Sequence, residues 1–177
     1  MSEKVRVFST IRRFRINTLN CTGKSRVLID TGEGKPEYLT KLVEGMKLCG
    51  CERISDIIVT HWHIDHLGGV PSVIDSFDHE IRVHKYMPER KEKLFGGEGS
   101  TDPYSIWPED KFVPLKDGQI FRIDEDNTLR IIHTPGHAND HVTLFHEEEK
   151  AIVRLNLFSF NLFCRFFIVF SYKTVYG

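Results

Sequence analysis

Thr60-His61-Trp62-His63-Ile64-Asp65-His66-Leu67-Gly68-Gly69 puts three histidines and an aspartate within six residues, directly after an apolar run ending at Val59. In extended backbone, residues two apart project to the same side, so His61 and His63 can grip one ion together. Asp65 and His66 fall where a helix begins, and the turned backbone aims both at a neighbouring position. Imidazole and carboxylate suit Zn²⁺ well and Fe²⁺ or Mn²⁺ acceptably. A lone histidine is most often a satisfied structural residue, but four ligand-type side chains at this spacing favour a metal. Gly68-Gly69 lets the chain pack closely after the turn.

Upstream, Val27-Leu28-Ile29 reads as a buried strand that stops at the turn signal Asp30-Thr31-Gly32. Pro36 opens a helix with Leu39, Leu42, Val43 and Met46 at i, i+3, i+4 and i+7, and Gly50 closes it. Residues 54–60 form a second strand, apolar on both faces at Ile57, Ile58 and Val59. A short helical stretch over 70–77 and a third strand over 81–84 follow. Residues 95–110, with Gly96, Gly97, Gly99, Pro103 and Pro108, read as a long surface loop of the kind that often serves as a flap. Residues 120–123 and 129–132 alternate like hairpin strands around Asp126-Asn127, and 141–145 adds another strand. Strands and helices alternate early and strands run together later, so the class is mixed, α+β.

The second histidine cluster, His133-Thr134-Pro135-Gly136-His137-Ala138-Asn139-Asp140-His141, follows the strand over 129–132. Pro135-Gly136 makes a tight turn that presents His137. With His61 and His63 it would complete three nitrogen ligands around an open fourth position, the pattern of catalytic zinc.

Composition narrows the alternatives. The chain has 177 residues, 24 basic and 25 acidic side chains and a net charge of −1, a length that suits about one domain. Near-neutral balance removes any global electrostatic case for nucleic acid or an anionic membrane, and DNA is not expected as a partner. Cys21, Cys49, Cys51 and Cys164 form no spaced framework and read as reduced thiols in an intracellular compartment. The first 26 residues carry seven basic side chains against Glu3 alone. A solvated arm is the preferred reading there and a mitochondrial presequence the alternative, so a cytoplasmic location is expected, with the mitochondrial matrix second.

On His61, His63, Asp65 and His66 as H-x-H-x-D-H, with Leu28-Ile29-Asp30-Thr31-Gly32 and Thr134-Pro135-Gly136-His137, the chain resembles the metallo-β-lactamase superfamily over about residues 24–152. Within it, the chain is similar to lactamase-β-like endoribonucleases and fungal acyl-carrier thioesterases, then to glyoxalase II. The resemblance implies an αβ/βα sandwich with metals at one edge and zinc-bound hydroxide as nucleophile. It implies metal one on His61, His63 and His137 and metal two on Asp65 and His66. Asp65 is the candidate for orienting the nucleophilic water or accepting its proton. Asp30 is expected to brace the site through hydrogen bonds rather than bind metal. His141 is expected either to stand behind the ligands or face substrate or, equally, to be a structural histidine at a strand start. Single-stranded RNA is the first substrate expected and an ester or acyl thioester the second. Trp107, Tyr104, Lys111 and Arg90 near the flap are candidate RNA contacts against a default of solvated loop.

The family pattern calls for two further metal-two ligands, an aspartate after a strand like 150–153 and a late histidine. No aspartate follows Asp140 and no histidine follows His146. The expectation is therefore a basic arm (1–23), a metallo-β-lactamase domain incomplete in its C-terminal half (24–153) and a Phe-rich tail foreign to the family (154–177). Such a truncated chain would hold at most one zinc, weakened as pH falls through about 6.5, and a zinc-binding remnant without turnover is the rival reading. A membrane anchor over 155–172 is disfavoured by Asn156, Asn161 and Arg165 inside that run.

Overall fold

The computed structural model describes residues 25–48, 50–88, 103–123, 127–148 and 150–153. The expectations for the arm, the tail, Cys21, Cys49, Cys164, Arg90, Asp126 and the glycines of the flap lie outside these residues.

Two four-stranded sheets face each other. The first is parallel in the order β1 (Ser25–Ile29), β2 (Arg53–Val59), β3 (Arg82–Tyr86), β4 (Phe112–Leu115). The second is an antiparallel meander of β5 (Ile120–Arg122), β6 (Thr128–His133), β7 (Val142–His146) and β8 (Ala151–Val153). Between the sheets, Val27, Ile29, Ile58 and Leu115 meet Leu129, Ile131, Val142 and Leu144. The opposite face of the parallel sheet presents Leu28, Ile57, Val59 and Val83 to the helices. β2 is thus buried on both sides, which is why it reads as a continuous apolar run.

Helix α1 (Pro36–Leu48) begins with proline at the first helical position, where its missing N–H costs nothing, and Gly50 follows it with φ +65°. Its buried stripe is Tyr38, Leu42 and Met46, four residues apart, with Leu39 half-buried. Val43, expected on the inner face, is 38% exposed, because the buried stripe follows i, i+4, i+8. Helices α2 (Ile64–Leu67) and α3 (Val70–Asp75) add Leu67, Val70 and Val73 to the same core.

Two local expectations are corrected. The third strand runs over Arg82–Tyr86, not 81–84, because Lys85 is itself buried and paired. The described end of the supposed flap is not loop. Pro103–Ile106 forms helix α4, and a 3₁₀ turn over Glu109–Lys111 feeds β4. Tyr104, Ile106 and Trp107 pack on the core there.

Candidate metal centre

The parallel strands β1 and β2 end side by side, and both chains turn at that rim. Asp30 takes φ +57°, a left-handed conformation that aspartate tolerates better than most residues. Both its carboxylate oxygens are engaged. Oδ1 accepts from the Thr60 backbone N–H at 2.7 Å, and Oδ2 accepts from the Thr60 hydroxyl at 2.8 Å. His66 Nδ1 lies 2.6 Å from the same Oδ2. The Thr31 N–H and hydroxyl both donate to the His66 carbonyl, at 2.8 and 3.0 Å. The Asp30-Thr31-Gly32 turn therefore clamps α2 against the ends of β1 and β2.

Gly68 and Gly69 make that approach possible. A Cβ on Gly69 would sit 2.2 Å from the Thr31 carbonyl oxygen, and one on Gly68 would sit 2.7 Å from that of Glu33. The sequence expectation of close packing after the turn holds for this reason.

His61 and His63 leave β2 with ring centroids 4.7 Å apart. The third imidazole comes from the other sheet. The 134–141 loop joins β6 to β7, and the Val142 N–H donates to the Thr60 carbonyl at 2.9 Å, docking the loop on the end of β2. His137 then stands 5.0 Å from His61 and 4.5 Å from His63 between centroids. Among the described residues these three form the one group of three or more ligand-type side chains with converging donor atoms, all within 4.8 Å of one another. Around one tetrahedral zinc, nitrogens at about 2.0–2.1 Å stand roughly 3.3–3.4 Å apart, so donor atoms within 4.8 Å of one another close by up to about 1.5 Å on binding.

The hydrogen bonds settle which nitrogen of His61 faces the trio. The Thr60 hydroxyl proton goes to Asp30, so the contact between Thr60 Oγ1 and His61 Nδ1 at 3.1 Å requires the ring to donate. The lone pair is left on Nε2. That atom is buried and has no hydrogen-bond partner, an arrangement that is costly without a ligand. Burial first, then the neighbouring imidazoles of His66, His63, His141 and His137, push the His61 pKa far below its usual value. Burial and His137 lower His63 as well. Both rings are thus kept in the neutral form that metals need.

Asp65 and His66, expected to hold a second ion, pair with each other beside the trio, the His66 ring centroid 4.0 Å from that of His61. His66 Nε2 lies 3.4 Å from Asp65 Oδ2. Burial alone would lower His66, but the Asp30 carboxylate, with Asp65, outweighs it and raises the pKa to about 9. The hydrogen bond from His66 in turn lowers Asp65 to about 2, and Asp65 remains 43% exposed. His141 is buried, 5.2 Å from His61 between centroids, with Nδ1 2.8 Å from the Thr134 hydroxyl. Asp30, expected to brace the site, hydrogen-bonds Thr60 and His66.

Sequence reasoning assigned nothing to Thr60, although a hydroxyl adjoining a ligand at a strand end was a usable signal. It also passed over Lys85 and Asp140, a buried pair 55 residues apart in sequence.

The sequence profile of the Metallo-beta-lactamase superfamily matches residues 18–153. The chain is 36% identical over 133 residues to the lactamase-like protein aptB of Emericella nidulans, covering 74% of this chain and 36% of that one. It is 36% identical over 132 residues to an atrochrysone carboxyl ACP thioesterase of Aspergillus fumigatus, covering 74% and 26%. The curated relatives it matches are thus longer, and the chain spans about a third of their length. Among solved structures, MEM-A1, a subclass B3 metallo-beta-lactamase from a soil metagenome library, superposes with a TM-score of 0.54 at 18% identity, covering 74% of this chain and 51% of that chain. A flavo di-iron protein mutant of Thermotoga maritima gives 0.53 at 20% identity, covering 75% and 30%. These last two likenesses are of fold.

Proposed function

Because the chain belongs to the metallo-beta-lactamase superfamily, we propose that His61, His63 and His137 hold zinc in a hydrolase for acyl thioesters carried on an acyl-carrier protein. The observation that carries the metal assignment is His61 Nε2, a bare acceptor shut off from solvent with two further imidazoles converging on it. Support for the thioester comes from the relatives named as atrochrysone carboxyl ACP thioesterases, 36% identical over 132 residues. Single-stranded RNA, expected first from the sequence, has less behind it. Tyr104 and Trp107 pack against the core, and Lys111 Nζ lies 5.1 Å over the Trp107 ring, so these groups are engaged within the fold.

Zinc in such a place supplies a Lewis acid for the carbonyl oxygen and acidifies a water to a pKa of about 7. The protein's own groups do the rest. Asp65, ionised at neutral pH by its bond to His66 and open to solvent, orients the attacking water by accepting a hydrogen bond from it. Asp30 holds His66 directly and His61 through Thr60, so one carboxylate orients two rings. The expected stoichiometry is one zinc, since among the described residues the one convergent group of three ligand-type side chains is His61, His63 and His137, and Nδ1 of His66 is already taken by Asp30.

The test loads the purified chain with zinc and assays an acyl N-acetylcysteamine thioester beside single-stranded RNA. Thioester hydrolysis without RNA cleavage is expected, and Asp65→Asn should lower kcat by about 10²-fold at unchanged zinc content. RNA cleavage alone would reverse the substrate. Zinc bound without turnover of either would leave a metal-binding remnant, and full turnover by Asp65→Asn would remove the role given to that carboxylate.

A further inference from the structure

Lys85 and Asp140 are the most deeply buried charged pair of the described residues, with side chains 1% and 0% exposed. Lys85 Nζ donates to Asp140 Oδ2 and more weakly to the Tyr86 carbonyl at 3.4 Å. Asp140 Oδ1 is buried with no hydrogen-bond partner. Apolar residues of similar size often fill such a place at no loss of stability, and a carboxylate with one unsatisfied oxygen is a poor stabiliser. Its value has to lie in where it sits.

Lys85 is the register partner of Val59, two residues before His61. Asp140 lies three residues after His137, on the loop that the antiparallel sheet sends to the rim. The contact therefore runs from the base of the first two imidazoles to the loop of the third, across the gap between the sheets. One other polar tie runs beside it, the Val142 N–H to the Thr60 carbonyl. Within the loop, the Thr134 N–H donates to the His141 carbonyl at 2.8 Å, and His133 Nε2 meets the Asn139 carbonyl at 2.7 Å. These bonds shape the loop but do not fix its distance from β2.

We infer that Lys85 and Asp140 are positioning residues for the metal centre: their ion pair is a strut that sets how far the His137 loop stands from His61 and His63. The inference rests on the reading that these three histidines hold zinc. Zinc–nitrogen distances tolerate only about ±0.2 Å, so a loop moved by a methylene's length loses a ligand while the sheets remain packed.

The experiment uses the full chain and zinc alone. Zinc affinity is read by competition with a chromogenic chelator, ligand geometry by the absorption bands of bound cobalt(II), and stability by the urea midpoint. Lys85→Met with Asp140→Leu replaces the pair by apolar groups. Asp140→Glu keeps the charge but lengthens the strut. Asp56→Asn is the control, a buried carboxylate bonded to Arg82 and His84 and to none of the three histidines. The strut predicts that both pair variants fold and bind zinc at least about tenfold more weakly, with altered cobalt bands, whereas Asp56→Asn loses stability and keeps zinc affinity within about twofold. Unchanged zinc affinity in a folded pair variant overturns it. So does an affinity loss that merely follows the urea midpoint through all variants, or failure of both pair variants to fold, which would make the pair a determinant of the whole fold. If the unaltered chain binds no zinc, the metal reading falls first, and that outcome is separate from these.

Discussion

Thr60 hands its hydroxyl proton to Asp30 and takes one from His61, so a single small side chain decides which nitrogen of that ring is bare. Thr60→Val keeps the shape of the residue and removes the relay. The His61 ring then loses its fixed tautomer, and zinc affinity should fall about 10–100-fold, the usual cost of losing a partner behind a metal ligand. Chelator competition measures it, and an unchanged affinity would show that packing alone orients the ring. His61, His63 and His137 were legible in the sequence because their spacing and turn chemistry are local signals. Asp30 was legible as a brace because it ends a strand at a turn. Lys85 and Asp140 were not, since neither carries meaning until 55 intervening residues have folded and brought them together.

The elements that place the ligands depend on backbone contact at α2. Gly69 donates its N–H to the Gly32 carbonyl at 3.1 Å, and its missing Cβ leaves room for Thr31. Gly69→Ala must push the Asp30-Thr31-Gly32 turn away from α2, because the obstruction is a carbonyl oxygen and not the tip of a flexible side chain. A loss of about 1–3 kcal/mol in urea unfolding is expected from such overpacking, together with weaker zinc binding, because Asp30 and His66 move with the turn. Stability and affinity both equal to those of the unaltered chain would refute the clamp. Continuous apolar runs made β1 and β2 readable, the i, i+3, i+4, i+7 spacing α1, and alternation the β5–β6–β7 meander. β4 escaped because Phe112 and Leu115 are buried while Val113 and Pro114 between them are exposed, a pattern without the alternation of a half-buried strand. β3 was read one residue early at each end or more, since a lysine does not announce burial.

Across the molecule, acid should act in two separable stages. The sequence alone set zinc loss near the ordinary histidine value of about 6.5. Burial, with the crowding of neighbouring imidazoles, holds His61 and His63 below it, so protons displace zinc only at lower pH. The fold itself has a different acid-sensitive point. Asp56, in the middle of β2, bonds to His84 at 2.8 Å and Arg82 at 2.9 Å, and the His84 ring stands edge-on to Phe121 of the facing sheet at 5.0 Å. Burial alone would raise the Asp56 pKa, but the bonds to His84, Ser55 and Arg82 outweigh it and hold the carboxyl below its ordinary value of 3.8. A carboxyl depressed in the folded state binds fewer protons there than in the unfolded chain. Its stabilisation is therefore complete above the unfolded value, about 3.9, and is lost as pH falls through the folded one. The urea midpoint of the metal-free chain should drop steeply below about pH 4, and Asp56→Asn should lower the midpoint at neutral pH and flatten that drop. An equally steep acid limb in Asp56→Asn would move the cause to other carboxyls and leave the β2–β3 cluster without a part in acid unfolding.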